Sequence, residues 1–143
     1  MTYEFLEDDV AFADFIAQFE AGTLPRPVWT HGAHLAVAAW YLLRLPERSA
    51  ITRVREGIQH YNTCVGVQNT RDSGYHETLT IFWLRTLMMF LAEPHENASE
   101  IELVRGAVAR FGPERDLFRA YYSFDVVRSQ EARARWIPPD KII

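Results

Sequence analysis

Apolar side chains recur along this chain at intervals of three and four residues and almost nowhere alternate. Val10, Phe12, Phe15, Ile16 and Phe19 mark one face of an amphipathic helix, introduced by Glu7-Asp8-Asp9 and ended by Gly22 and Pro25. Thr30 is placed to cap a second helix, which is apolar nearly all round through Leu35, Val37 and the run from Ala38 to Leu43. A helix without a polar face is expected to be buried on every side. Pro46 stops it and suits the first turn of a third helix, with a buried stripe of Ile51, Val54, Ile58, Tyr61 and Val65. The stretch Gly66 to Gly74 reads as a loop from its Asn, Asp, Ser and Gly content.

A fourth, strongly apolar helix is predicted from about Tyr75 to Leu91. Asn97 with Glu100 three residues on has the form of a capping box for a fifth helix carrying Ile101, Val104, Val108 and Phe111. Gly112-Pro113 closes that helix and opens a short sixth through Leu117 and Tyr121. Ser129 caps a last helical turn from Gln130 to Arg135, and Trp136-Ile137-Pro138-Pro139 leaves as an extended tail. The expected fold is therefore all-α: one compact bundle of five to six helices spanning residues 1–143, with no sheet.

Composition agrees with a packed domain. In 143 residues the hydrophobic fraction is 48% and the charged fraction 24%, and nine Phe, six Tyr and four Trp argue against a disordered chain. The net charge of −4, with 14 Arg and one Lys scattered along the sequence, gives no footprint for nucleic acid. One cysteine, Cys64, excludes both a disulfide framework and a thiolate zinc cluster. The acidic N-terminus is unlike a secretion signal, and the longest apolar run, Leu35 to Leu43, is too short to span a bilayer. A soluble, reducing, cytoplasmic setting is the expectation, with no membrane or nucleic-acid partner.

The candidate chemistry lies in the histidines. His95 falls in a polar connection and is expected to face solvent. His31 and His34 are three apart in the first turn of the second helix, His76 is placed in the first turn of the fourth, and His60 near the end of the third. Short connections make successive helices antiparallel, so these three helix ends meet at one end of the bundle. At roughly 1.5 Å of rise per residue the four histidines then fall in one layer with Glu77. Imidazoles with a carboxylate and no thiol suit Zn, Fe, Mn or Ni. His31, His34 and His76 would be the three metal ligands, leaving an open position for water or substrate. Glu77, turned about 100° around its helix from His76, is better suited as a general base, with His60 a second proton carrier.

Other roles compete with that one. Trp29 and His34 can pack as a hydrophobic staple, and Glu77 suits any first helical turn. Two helix N-termini create a positive potential that keeps imidazole neutral, disfavours a cation and favours an anion. Two functions follow: a metal-dependent hydrolase or oxidase acting on a small molecule, or a non-catalytic protein that binds a small anionic or aromatic ligand, with histidines as hydrogen-bond donors. Arg71 and Asp72 are placed to line the same end of the bundle. Trp29, Trp83 and Tyr41 can wall a pocket or fill the core, and Cys64 is a nucleophile or a small apolar residue.

The runs Trp29-Thr30-His31-Gly32-Ala33-His34-Leu35 and Gly74-Tyr75-His76-Glu77-Thr78 resemble an uncharacterised family of small bacterial helical proteins with WTHxxHL and GYHET signatures. The ending, from Tyr122-Ser123 through Ser129, Glu131-Ala132-Arg133 and Trp136 to Asp140, is similar to how those sequences finish. The likeness covers roughly residues 28 to 140. It implies kinship and a bacterial source, and it carries no reaction and no catalytic role.

Overall fold

The computed structural model describes residues 3–141, and within them the chain forms six α-helices and no strand. They are α1 (Asp9–Ala21), α2 (His31–Arg44), α3 (Glu47–Cys64), α4 (Glu77–Ala92), α5 (Glu100–Phe111) and α6 (Gln130–Ala134). Short 3₁₀ turns at Glu4–Leu6, Arg26–Val28 and Leu117–Tyr121 lie in the connections. None of the described helices is long and apolar enough to cross a membrane.

The helix ends follow local chemistry. Asp8 accepts the Ala11 amide at 2.8 Å to start α1, and Gly22 ends it at φ 76° with its N–H turned back to Gln18 and Phe19. A Cβ on Gly22 would also collide with the Cys64 side chain. Thr30 caps α2 through the Ala33 amide at 3.3 Å, and Pro46 precedes α3 as its N-cap. The capping box of α5 is Ser99 with Glu102 rather than Asn97 with Glu100: Ser99 Oγ accepts the Glu102 amide and Glu102 Oε1 accepts the Ser99 amide. Asn97 instead takes φ 55°, turning the chain two residues before that cap. The short sixth helix expected after Pro113 is the 3₁₀ turn Leu117–Tyr121.

α2 is the central element, packed against α3, α4 and α5. Ala33, Ala36 and Ala39 have no exposed surface, and their small side chains let α5 approach with Val104 and Ala107, which are equally buried. Phe19 of α1 closes this core against Trp29 and Tyr61, with ring centroids 4.9 and 5.9 Å away. Val10, on the apolar spacing of α1, is 79% exposed, because that helix buries only the stripe from Phe12 to Phe19. On α3, Val54 and Tyr61 are buried, whereas Ile51, Ile58 and Val65 are half-buried.

A second, smaller core forms where the chain's end wraps α4. Phe82 meets Phe118, Tyr122, Val126 and Ala132 there. Thr78, fully buried, donates to the Arg135 carbonyl at 2.8 Å and accepts the Ile137 amide at 3.0 Å. The extended tail is thereby fastened beside the first turn of α4.

Candidate functional site

Capping decides where the histidines stand. Because Thr30 caps α2, His31 and His34 both lie in its first turn. His76 is one step outside α4 and is itself the N-cap: its Nδ1 accepts the Leu79 amide at 3.2 Å. Its Nε2 donates to the Val126 carbonyl at 2.8 Å. Both ring nitrogens are therefore committed to the fold, and the imidazole has no lone pair left for a metal. Histidine in a position usually held by Ser, Thr, Asp or Asn is the reason the sequence places it inside the helix instead.

The other two rings are half committed. His31 donates from Nε2 to the Phe111 carbonyl at 3.1 Å, and His34 donates from Nδ1 to the Thr30 carbonyl at 2.7 Å. A carbonyl only accepts, so those nitrogens carry the protons, leaving His31 Nδ1 and His34 Nε2 as lone pairs. Among the described residues no fully buried side-chain nitrogen or oxygen lacks a partner, so neither of these two unpaired nitrogens is completely sealed from solvent. Each ring lies against a tryptophan: His34 is 3.8 Å from Trp29 between centroids, and His31 meets Trp83 edge-on at 4.7 Å.

Electrostatics keep both rings neutral. Burial pushes His34 down to about 4, outweighing the Thr30 carbonyl, with His31 and Arg115 pressing the same way. Burial likewise lowers His31, helped by Arg115 and opposed by the Phe111 carbonyl and Asp116.

These rings line a cavity of about 690 Å³ between the beginnings of α2 and α4. His31, His34, His76 and Thr80 stand on its wall with Trp29 and Trp83, while Leu35, Val54, Ile58 and Leu84 contribute its apolar surface. The first turns of α2 and α4 thus share one end of the bundle, and α3 contributes Val54 and Ile58 to the same cavity. Arg115, Asp116, Arg119 and Phe118 complete the lining from the connection after α5. Arg119 is held by Asp116 and Asp125 at 3.2 and 3.7 Å. Arg115 has no ion-pair partner within 4.0 Å among the described residues, so its charge is available to whatever enters.

Glu77 and His60 are elsewhere. Glu77 lines a separate cavity, where Arg55 grips it with both Nε and NH2, at 3.0 and 2.7 Å, and the Tyr75 hydroxyl donates at 2.5 Å. Burial alone would raise this carboxyl, but the Arg55 guanidinium and the Tyr75 hydroxyl hold it below the usual range. His76 is extended backbone outside α4 and Glu77 is its first helical residue, and the two side chains line separate cavities. His60 is exposed on the far side of α3, its Nε2 3.6 Å from Cys64 Sγ and close to Gly22. No group of three or more His, Cys, Asp or Glu among the described residues is arranged to hold a metal ion.

The remaining candidates divide similarly. Trp29 and Trp83 wall the cavity, while Tyr41 is buried and donates to Glu20. Arg71 lines the Glu77 cavity, and Asp72 accepts from Gln130. His95 is half-buried, donating to the Phe90 carbonyl at 2.7 Å. Arg115, Asp116 and Phe118 had no signal in the sequence, since they reach the histidines from a non-periodic connection some 80 positions along the chain.

No family model matches the chain, and neither the curated proteins nor the solved structures compared with it include a match.

Proposed function

We propose that this protein binds a small organic molecule in the cavity between the beginnings of α2 and α4. The observation that carries this is the pair His31 and His34, each with one nitrogen fixed by a backbone carbonyl and the other open, at a cavity of about 690 Å³. That volume and an apolar lining with a few convergent polar groups are what small-molecule sites have in common. Carbonyl anchoring sets each ring's tautomer and orientation before any ligand arrives, which lowers the cost of ordering on binding.

The tautomers also change the role expected of these rings: they offer acceptors, not donors. A metal-dependent enzyme has less support. His76 has no free nitrogen, Glu77 is occupied by Arg55, and two imidazoles fall short of the three protein ligands of a catalytic zinc site.

Protein-observed NMR of histidine- and tryptophan-labelled protein against a fragment library tests the proposal. Hits are expected to move the signals of His31, His34, Trp29 and Trp83 together. Fragments that bind only elsewhere overturn it. Thermal melts with Zn, Mn, Ni and ferrous iron separate the two functions, because an ion bound only by the folded state raises the melting temperature. No rise is expected, and a stoichiometric rise lost in His31→Ala restores the metal site.

A further inference from the structure

The tautomers of His31 and His34 restrict what the cavity accepts. A neutral imidazole whose only N–H is held by a carbonyl presents a lone pair, so its partner must bring an O–H or N–H. A carboxylate or phosphate pointed at either free nitrogen would set lone pair against lone pair. Turning the ring into a donor requires protonating it beside Arg115, in a site that burial already keeps neutral. An anionic group is instead matched by Arg115 itself, because Arg119 is already engaged by Asp116 and Asp125. The same cavity is walled by Trp29, Trp83, Phe118 and aliphatic side chains, which suit a flat apolar body.

Resting on the small-molecule proposal above, we infer that the occupant is an aromatic acid carrying a hydroxyl or N–H group. The donor meets His34 Nε2, the ring lies among the tryptophans, and the acid faces Arg115. Both polar contacts are needed: a hydroxyl alone leaves Arg115 unmatched, and an acid alone leaves the imidazole lone pairs without a proton donor. Neither His34 nor Arg115 is sealed from water, so each contact is worth a net hydrogen bond or charge match rather than the larger penalty of a buried unpaired group.

Calorimetric titration with para-hydroxybenzoate, para-methoxybenzoate and methyl para-hydroxybenzoate tests this directly. The hydroxy acid is expected to bind tightest. Methylating the hydroxyl removes the donor and should weaken binding by roughly tenfold, as should esterifying the acid. In His34→Phe, which keeps a ring against Trp29 without the lone pair, the hydroxy and methoxy acids should bind alike. In Arg115→Gln the acid and its ester should bind alike. Equal binding of the methoxy and hydroxy acids to the parent overturns the inference, as does no binding of any probe at millimolar concentration. If fragments nevertheless shift His31 and His34, the binding cavity stands and only this ligand class is lost; if they do not, both are lost. Should His34→Phe fail to fold, the probe series on the parent decides alone.

Discussion

The imidazole of His31 donates its Nε2 proton to the carbonyl of Phe111, 80 positions further along the chain and 3.1 Å away. This one bond joins the first turn of α2 to the end of α5, just before the segment that supplies Arg115 and Asp116. Replacing His31 by Ala should remove one of the two bonds this carbonyl accepts, the Glu114 amide at 3.0 Å keeping the other, and cost about 1 kcal/mol, the usual net worth of such a bond. The effect should be local. Amide exchange is expected to quicken from Glu114 to Leu117, whose N–H groups bond back to Phe111 and Glu114, while α3 keeps its protection. Unchanged exchange in that segment would show that the bond does not position the Arg115 wall.

His76 and His34 should respond in opposite ways to truncation. His76→Ala strands the Leu79 amide in a site that is 7% exposed, leaves the Val126 carbonyl with the Ser129 amide alone at 3.3 Å, and removes the cap of α4. A loss of about 2–3 kcal/mol is expected from the orphaned amide, the lost carbonyl bond and the cap together. His34→Ala strands nothing: the Thr30 carbonyl also accepts the backbone amide of residue 34 at 3.0 Å, and that bond survives. The imidazole's bond to Thr30 and its tilted contact with Trp29 are lost, together worth about 1–2 kcal/mol. Urea unfolding of both variants measures the difference, and a larger loss at position 34 would contradict it.

Glu77 should matter for stability and not for binding. Its carboxylate, 15% exposed, satisfies the Arg55 fork and the Tyr75 hydroxyl; the bond to Glu77 pushes Arg55 up, and burial, with the bond to Glu77 second, pushes Tyr75 up. Glu77→Gln keeps the volume but loses the charge and one of the paired bonds, with an expected cost of about 1–2 kcal/mol after allowing for the partly exposed Arg55. Ligand shifts at His31 and His34 should be unchanged in this variant. Lost binding with an intact fold would return Glu77 to the site.

Helix existence was legible because apolar spacing and caps agreed: Asp8, Thr30, Gly22 and Ser129 each do in three dimensions what their chemistry suggests. Ambiguity arose where two capping signals overlap, as with Asn97-Glu100 and Ser99-Glu102, which offer the same box two residues apart. Topology was enough to bring His31, His34 and His76 to one cavity, since helix direction follows from short connections. It was not enough for Glu77 or His60, whose directions depend on rotation about the helix axis, where one residue is about 100°. The atoms that define the site's chemistry were out of reach entirely. Which ring nitrogen is free depends on the carbonyls of Phe111, Thr30 and Val126, and a backbone carbonyl leaves no mark in a sequence.

Acid should weaken the fold before the carboxylates titrate. His34 sits at about 4 in the folded chain against 6.5 when exposed, and His31 and His76 are also lowered by burial. Between those limits the unfolded chain binds more protons than the folded one, so stability is fully present above about pH 6.5 and falls as the pH drops toward 4. Each such group contributes a slope of up to about 1.4 kcal/mol per pH unit while its folded form stays neutral. Glu77 acts in the same direction but only below its own ordinary range, so melts between pH 7 and pH 5 report the histidines. The groups that bear on His34 are His31 and Arg115, both of which oppose its protonation, and the Thr30 carbonyl, which favours it. The melting temperature of the parent is therefore expected to fall from pH 7 to pH 5, and by a smaller amount in His34→Phe, which has no imidazole to protonate. An equal fall in both would show that His34 titrates normally and that its ring is not held neutral at the cavity wall.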